Sequence, residues 1–211
     1  MDFWNRLDEV ADRWNVLRHP FYVRWSEGTL TREELALYSA QYAHAVEALA
    51  AGTRRAAELA PSPTSEEHAA EEEAHVALWA EFAGAVGGTE ADPLPETAEC
   101  IRAWSGPDRD LLPTLTALYA VESAQPAISE TKRAGLTDRY GFEPGPATAY
   151  FDLHAVRDLE HARVGREAIA ELLDDATDED ALVAEAEWAL AANWHLLDGV
   201  DRACAADEEA A

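Results

Sequence analysis

Apolar residues recur at intervals of three or four along most of the chain, which is the spacing of one face of an α-helix. The first such stripe includes Phe3 and Leu17, and it ends before His19 and Pro20, because a residue that precedes proline disfavours helical backbone. No stretch alternates apolar and polar residues for long enough to predict a strand. The pattern therefore predicts an all-α protein.

Capping residues and helix breakers divide the rest of the chain. Thr31 and Glu34 form a capping box that opens a long second helix, which the proline-containing residues 61–63 end. A third helix is expected to begin at Thr64 and to end at Gly87. Four further helices are expected around residues 101–104, 111–132, 147–173 and 178–203. The expected fold is a bundle of about seven helices.

The composition is strongly acidic, with 42 Asp and Glu residues against 16 Lys and Arg residues and a formal net charge of -26 at pH 7. A surface of this charge repels phosphate backbones and anionic lipids, which excludes nucleic acids and membranes as partners. The 211 residues, 48% of them hydrophobic, are expected to form one domain over residues 1–211, with an acidic tail from about residue 204. The N-terminus lacks a basic start and an apolar signal core, so a cytoplasmic location is expected.

Lysine is nearly absent, since Lys132 is the one lysine among the basic residues. Dense carboxylates with little lysine are typical of a protein adapted to a high-salt cytoplasm, because salt screens the repulsion between the carboxylates. The acidic residues are spread along the whole chain, and this favours the halophilic interpretation over an acidic block that binds a partner.

Two histidines and an aspartate share one face of a predicted helix. His154, Asp158 and His161 stand at positions i, i+4 and i+7, which places them within about 60° of one another. Imidazole and carboxylate together suit a non-haem transition metal such as iron. The alternative is a chance trio on the solvated face of an acidic helix.

Two further features strengthen the metal interpretation. Glu72 and His75 have the Glu-x-x-His spacing with which di-iron bundles point both side chains inward, although such a match is common in an acidic run. Glu122 lies in an otherwise uncharged stretch, where an unpaired buried carboxylate is costly without cations. The collected candidates would hold two iron ions with open positions for dioxygen: Glu72, His75, Glu122, His154, Asp158 and His161.

Several stretches resemble a known family. Residues 19–28 (HPFYVRWSEG) and 75–79 (HVALW) are similar to the haem-oxygenase-like proteins, which include thiaminase-type and PQQ-synthase-C-type enzymes. Residues 119–142 and 150–161 are most similar to the subgroup that contains the chlamydial protein associating with death domains and its bacterial and archaeal relatives. The resemblance covers about residues 3–200 and implies a haem-oxygenase-like helical fold.

The resemblance implies an oxygenase site with two iron ions, or one iron and one manganese, that uses dioxygen and an external reductant. Five residues match the family's metal ligands: His75, Glu122, His154, Asp158 and His161. In the subgroup, the first glutamate lies further before the histidine, across a short insertion that this chain lacks. Without that insertion, Glu72 stands in the Glu-x-x-His position that other di-iron members of the fold use, so Glu72 is assigned as the first carboxylate. Glu71 and Glu67 stay open as alternatives, and the position seven before His75 is His68.

The same resemblance implies a reaction. The subgroup makes para-aminobenzoate, a precursor of folate-type cofactors, from a tyrosine of its own chain with a lysine as amine donor. Tyr22 matches the consumed tyrosine and Lys132 matches the donor. A primary amine can be transferred whereas a delocalised guanidinium resists it, so a lysine-poor chain would retain a lysine here. The alternative for Lys132 is a solvated cation near a helix end.

Other functions stay open beside this one. A di-iron oxidase would use the same centre on a free amino acid or fatty acid, and a PQQ-synthase-C-like or TenA-like enzyme would share the fold. The helix of Glu122 has no cysteine to act as a thiaminase nucleophile. The non-enzyme alternative is an acidic helical module that binds a cationic partner. The expected partners of the enzyme are an electron donor and, as an open alternative, a second copy of the chain.

The remaining tyrosines and histidines are given structural roles. Tyr38 and Tyr42 stand at helical spacing and are expected in the core. Three single histidines are expected as surface or satisfied core groups: His44, His68 and His195.

Overall fold

Residues 2–210 are described by the computed structural model, with side chains as far as residue 206. They form eight α-helices and one short 3-10 helix, with no strand in this range. The helices are α1 (Phe3–Arg13), α2 (Pro20–Glu27), α3 (Arg32–Leu59), α4 (Pro63–Val86), α5 (Pro95–Ser105), α6 (Leu111–Asp138), α7 (Ala149–Leu172) and α8 (Glu179–Ala210). The prediction of an all-α fold is confirmed.

The two ends of the described range need separate mention. The acidic tail predicted from about residue 204 continues α8 to Ala210, and its side chains from residue 207 onward lie outside the described residues. Across residues 2–210, none of the helices combines the length and the apolar character needed to cross a membrane.

The first predicted helix is too long. α1 ends at Arg13 instead of continuing toward His19. Asn15 has an extended backbone, and its side chain accepts a hydrogen bond from the Leu17 N–H at 3.0 Å, which opens the 3-10 helix Val16–Arg18. A side chain that bonds to nearby backbone competes in this way with continuation of the helix.

The structure adds a helix that the sequence analysis missed. Pro20 is the first residue of α2, and the His19 Nδ1 accepts a hydrogen bond from the Phe21 N–H at 3.0 Å. Proline is favoured at the first helical position, so Pro20 ends one element and begins the next. Gly28 ends α2 with a φ of 74°, in the left-handed region that favours glycine. This helix carries Tyr22 into the core.

Two other helix ends differ from the prediction. α4 begins at Pro63, and Ser62 rather than Thr64 caps it, with its hydroxyl accepting from the Ser65 N–H at 3.1 Å. α6 continues beyond Lys132 to Asp138.

Gly135 lies inside α6, three residues beyond the predicted end of the helix, and its role is in packing. A Cβ at Gly135 would lie 2.5 Å from Cδ1 of Trp25, so the glycine is a site of close packing between α2 and α6 and does not cap the helix. The Trp25 indole N–H also donates to the Lys132 carbonyl at 3.1 Å. This contact fixes α2, and with it Tyr22, against the C-terminal part of α6.

Four long helices surround the predicted site. α3 packs along α4, and α6 packs along α7, while α4 contacts α7 and α3 contacts α6. α5 and α8 pack beside α3, and α1 packs on α8. The larger buried cluster is rich in aromatic side chains and includes residues from every helix from α2 to α8. A smaller cluster joins Phe3, Leu7 and Val10 of the predicted first stripe to α7 and α8.

Candidate metal centre and aromatic pocket

Three helices bring the six predicted ligands together. α4 contributes Glu72 and His75, α6 contributes Glu122, and α7 contributes the trio that begins at His154. Each of the six is at most 7% exposed. Pro126 follows Glu122 by one turn and lacks the N–H that would bond to the Glu122 carbonyl, so the helical ladder is interrupted beside this carboxylate.

α4 and α7 run antiparallel through the site. The His75 and His154 rings lie 4.5 Å apart between centroids, and the His68 and His161 rings lie 4.0 Å apart. Glu72 reaches both pairs, because its Oε1 is 3.0 Å from Nδ1 of His75 and 3.7 Å from Nδ1 of His161. The cluster is therefore elongated along the two helices, with one imidazole pair at each end.

Eight buried polar atoms of this cluster lack hydrogen-bond partners in the described part of the chain. The atoms concerned are both carboxylate oxygens of Glu72, Nδ1 of His75, Oε1 of Glu122, Nε2 of His154, Oδ2 of Asp158, Nδ1 of His161 and Nε2 of His68. The Glu72 and His75 atoms are close enough for a hydrogen bond but are not oriented for one. Converging unpaired nitrogen and oxygen atoms are costly alone and are the donor set of a transition metal, so the residues fit an iron site.

The ionisation of the cluster is also suited to a cation. Burial lowers the pKa of His154 to about 4, which keeps its imidazole neutral near pH 7. Burial raises the pKa of Asp158 to about 7, and the charges of Glu122 and Glu72 add to this effect. Burial alone would lower the pKa of His161, but the carboxylates of Asp158 and Glu122 outweigh it and raise that pKa to about 9. A bound cation would replace protons here, since metal ligands must be deprotonated.

Neighbouring groups orient two of the imidazoles. The His154 Nδ1 lies 2.7 Å from the Tyr150 carbonyl, which only accepts, so Nδ1 carries the proton and Nε2 faces the cluster with a free lone pair. Glu71 is 3.0 Å from Nε2 of His161 and also binds Arg157. Glu71 therefore contacts the outer side of His161.

The three candidates for the first carboxylate differ in burial. Glu72 is 1% exposed and lies inside the cluster, whereas Glu67 is exposed and Glu71 is half-buried at the periphery. Two groups of three residues each have their ligand atoms within 4.8 Å of one another. One group is Glu72, His75 and His154, the other is His68, Glu72 and His161, and both contain Glu72. This placement favours Glu72 over the two alternatives.

His68 is the residue whose position the sequence analysis misjudged. It was expected as a surface or satisfied core group, but its Nε2 is buried without a hydrogen-bond partner, 2.9 Å from Oε1 of Glu122. The signal was present in the sequence: His68, Glu72 and His75 have the same His-x3-acid-x2-His spacing as the trio on α7. The acidic run around Glu72 concealed this repeat.

Lys132 occupies a pocket made of aromatic rings. It is 1% exposed, and its Nζ has no hydrogen-bond partner among the described residues. Five rings surround the amine, with centroids at 5.2 Å (Tyr22), 5.4 Å (Tyr38), 4.4 Å (Tyr42), 5.6 Å (Trp79) and 5.4 Å (Phe151). The solvated helix-end cation considered for Lys132 is therefore wrong.

The pocket favours the neutral amine. Aromatic faces attract an ammonium ion, but this attraction is smaller than the cost of full burial without an anion. Burial consequently lowers the pKa of Lys132 well below its usual 10.5. A neutral amine has a free lone pair and can act as a nucleophile, which an ammonium ion cannot.

The tyrosines beside Lys132 are fully buried. The hydroxyls of Tyr22 and Tyr38 are 2.8 Å apart and share a hydrogen bond, and the Gln125 amide donates to the Tyr42 hydroxyl at 3.2 Å. The expectation that Tyr38 and Tyr42 belong to the core is confirmed. Burial raises the pKa of Tyr22 well above 10, so the phenol keeps its proton.

Aromatic contacts join the pocket to the ligand cluster. Tyr150 stacks on His154 with centroids 3.9 Å apart and an angle of 22° between the planes. Trp79 contacts both Tyr150 and Tyr42, at 4.9 Å in each case. The two parts of the site are thus adjacent and in continuous van der Waals contact.

A cavity of about 670 Å³ lies beside the ligand cluster. His68, Glu122 and His161 line its inner wall, and Arg157 and Tyr119 lie among its other lining residues. Its size is within the range of small-molecule sites. The cavity therefore connects one end of the cluster to the outside.

Comparison with known proteins agrees with this geometry. A family described as iron-containing redox enzymes, with a haem-oxygenase label, matches residues 33–194. The 4-aminobenzoate synthase of Nitrosomonas europaea is 31% identical over 94% of this chain and 90% of its own. The 4-aminobenzoate synthase of Chlamydia trachomatis is 34% identical over 85% of this chain and 84% of its own.

Solved structures with low sequence identity show the same fold. A domain of unknown function with a haem oxygenase-like fold from Shewanella denitrificans has a TM-score of 0.83 at 20% identity, covering 100% of this chain and 97% of its own. A TenA homologue from P. horikoshii has a TM-score of 0.72 at 17% identity, covering 93% and 98%. The haem-oxygenase-like fold expected from the sequence is confirmed. The family match over residues 33–194 and the 31% identity to the Nitrosomonas europaea protein show that the chain belongs to the iron-containing redox enzymes.

Proposed function

We propose that this chain is a di-iron oxygenase that makes para-aminobenzoate from its own Tyr22, with Lys132 as the amine donor. The observation that carries the proposal is the position of the single lysine, buried without an anion 5.2 Å from the Tyr22 ring centroid. Two relatives that span most of the chain are named 4-aminobenzoate synthase. The orphaned ligand cluster next to this pocket supports an oxidative reaction.

The proposed ligands lie on α4, α6 and α7. They are Glu72, His75, Glu122, His154, Asp158 and His161. A pair of iron ions, or one iron and one manganese, held by these residues would supply the activation of dioxygen, with electrons from an external reductant. The chain also fixes the orientation of two of these ligands before metal binds. His154 is fixed through the Tyr150 carbonyl, and His161 is fixed through Glu71.

Tyr22 has the carbon skeleton of the product. Its ring carries Cβ and a hydroxyl in para positions, and para-aminobenzoate carries a carboxyl carbon and an amine in the same positions. Conversion requires that the Cα–Cβ bond breaks, that Cβ is oxidised to the carboxyl carbon, and that a C–N bond replaces the phenolic C–O bond. The nitrogen comes from Lys132: its amine condenses with the oxidised ring carbon and releases the phenolic oxygen as water, and the Cε–Nζ bond then breaks with Cε left as an aldehyde. The Cα of residue 22 stays in the main chain, and dioxygen is the oxidant and is reduced to water with electrons from the external reductant.

The surrounding residues prepare these two side chains. The rings around Lys132 exclude water, which keeps the amine neutral and protects reactive species from hydrolysis. The Tyr38 hydroxyl shares a hydrogen bond with the Tyr22 hydroxyl and fixes its orientation. Three tyrosine rings lie within 5.4 Å of Nζ, so Tyr38 and Tyr42 serve as internal controls for Tyr22.

Peptide mass mapping tests the proposal. The chain is incubated with ferrous iron, dioxygen and a reductant, and the peptides that contain Tyr22, Tyr38, Tyr42 and Lys132 are weighed before and after. We expect mass loss at Tyr22 and at Lys132 in proportion to the para-aminobenzoate formed, with Tyr38 and Tyr42 intact. An intact Tyr22 in a chain that has made product would contradict the proposal.

The cavity beside the ligand cluster favours a second candidate. Its volume of about 670 Å³ would accept a free amino acid or the end of a fatty acid next to the proposed metals. In that case Tyr22→Phe and Lys132→Arg would keep oxidase activity on the added substrate. Loss of all dioxygen consumption beyond the first turnover would instead favour self-modification.

A further inference from the structure

α4 and α7 carry the same pattern of two histidines around an acidic residue, and the six predicted ligands include all of these residues except His68. α4 carries histidines at positions 68 and 75 around Glu72, and α7 carries histidines at positions 154 and 161 around Asp158, with identical spacing. Because the helices are antiparallel, each histidine of α4 faces one of α7. Both ends of the cluster therefore present two imidazoles.

His68 has the surroundings of a ligand. Its Nε2 is buried with no hydrogen-bond partner in the described residues, although Oε1 of Glu122 lies 2.9 Å away. Its ring lies against that of His161, and its ligand atom belongs to a group with Glu72 and His161 within 4.8 Å. Metal–ligand bonds of about 2 Å place the ligands of one ion up to ~4 Å apart, which is close to this spacing.

An ordinary ion pair between His68 and Glu122 explains less. It would give Glu122 one partner, but the two groups are not oriented for a hydrogen bond. A metal ion shared by His68 and His161 would satisfy both ring nitrogens and the carboxylate oxygen.

We propose that His68 is a seventh metal ligand of this chain. This inference rests on the proposed di-iron function and assigns its ligands to two ends. One ion would be held by His75, His154 and Glu72, and the other by His68 and His161 together with Glu72 or Glu122. Four imidazoles and three carboxylates would then form the centre.

The assignment makes the two ions unequal. The first end is fully buried, whereas the His68 side chain is 23% exposed and lines the cavity. We therefore expect the ion at the His68 end to exchange faster and to be removed first by a chelator.

Metal binding by the full chain tests the role of His68. The wild type and variants are loaded with ferrous iron without oxygen, freed of excess metal, analysed for bound iron and checked for folding by circular dichroism. We expect two irons per wild-type chain. His68→Gln should keep one tightly bound iron and bind the second at least ~10-fold more weakly, since even outer partners of metal ligands contribute that much.

Two further variants separate ligation from structure. His68→Glu should restore two irons, because a carboxylate can replace an imidazole as an iron ligand. His44→Gln is the matched control, since His44 lies away from the cluster and its Nε2 contacts the Ala91 carbonyl at 2.8 Å. It should bind two irons like the wild type.

The outcomes separate this inference from the proposed function. Two irons bound with wild-type affinity by folded His68→Gln would overturn the role of His68 and leave the di-iron centre intact. Fewer than two irons in the wild type would contradict the di-iron centre and the His68 assignment together. If His68→Gln fails to fold, a crystal structure of the iron-loaded wild type decides. An ion about 2.1 Å from Nε2 of His68 supports the assignment, and no ion within ~3 Å overturns it.

Discussion

The ligand cluster and the aromatic pocket are neighbours in one core, yet they treat buried ionisable groups in opposite ways. In the ligand cluster, carboxylates and imidazoles converge until their atoms lie 3.0 to 3.7 Å apart, as around Glu72. In the aromatic pocket, five rings surround the Lys132 amine, which has no hydrogen-bond partner among the described residues. The six predicted ligands and Lys132 are each at most 7% exposed, so burial alone does not explain the difference.

The difference shows what each region accepts. Anionic and imidazole ligands without hydrogen bonds are stabilised by added cations, so the ligand cluster is arranged for metal ions. A lone amine without an anion is stabilised by loss of its proton, so the aromatic pocket maintains a neutral nucleophile. Aromatic contact through Tyr150 and Trp79 places the two chemistries side by side.

The largest expected effect comes from removing a ligand. Glu122→Gln keeps the shape of the side chain but removes its charge, and we expect at least a ~100-fold loss of para-aminobenzoate formation together with loss of bound iron. Product assay and iron analysis measure the two effects. Glu130→Gln, an exposed position on the same helix, is the control and should change neither. Full activity of Glu122→Gln would contradict the claim that the ligand cluster, unlike the aromatic pocket, is arranged to bind metal ions.

Lys132→Arg tests the aromatic pocket. A guanidinium keeps its proton, so this variant would bury an unpaired charge and is expected to be destabilised by about 3 kcal/mol or more and to make no product. Lys132→Met should also make no product but fold stably. Thermal and denaturant unfolding, with the product assay, distinguish the two variants. Product from either would exclude Lys132 as the amine donor.

Gly135→Ala tests the packing that fixes α2 against α6. The added Cβ would lie 2.5 Å from the Trp25 ring, and we expect a loss of about 1–3 kcal/mol in the free energy of unfolding. Gly84→Ala is the matched control, because nothing lies within 4 Å of a Cβ there and alanine favours the helix. Denaturant unfolding of both variants measures the difference. Equal stability of the two variants would show that Trp25 moves freely.

The pH dependence of stability tests the charge state of Lys132 directly. Burial lowers the pKa of Lys132 in the folded chain, so the unfolded chain binds more protons below pH 10.5. The free energy of unfolding should therefore rise with pH, by up to about 1.4 kcal/mol per pH unit relative to Lys132→Met, between about pH 8 and 10. Parallel curves for the two proteins would mean that the buried lysine keeps its proton.

The helical class and the clustering of the candidate ligands on α4 and α7 could be predicted from the sequence because both depend on local spacing. The trio on α7 and the pair of Glu72 and His75 follow the helical repeat, so a short window of residues is enough to identify them. Lys132 is different, since Thr131 and Arg133 beside it are polar and its burial depends on aromatic rings from distant segments. The start of α2 at Pro20 was missed because proline both ends and begins helices.

The most direct test of the account follows the nitrogen of the single lysine. The chain is produced with lysine labelled with ¹⁵N at Nζ, and the para-aminobenzoate released after incubation with iron, dioxygen and a reductant is analysed by mass spectrometry. Because Lys132 is the one lysine in the sequence, label in the product identifies its source without mutation. We predict ¹⁵N in the product amine, in no more than one equivalent per chain. Unlabelled para-aminobenzoate would contradict the assignment of Lys132 as the amine donor.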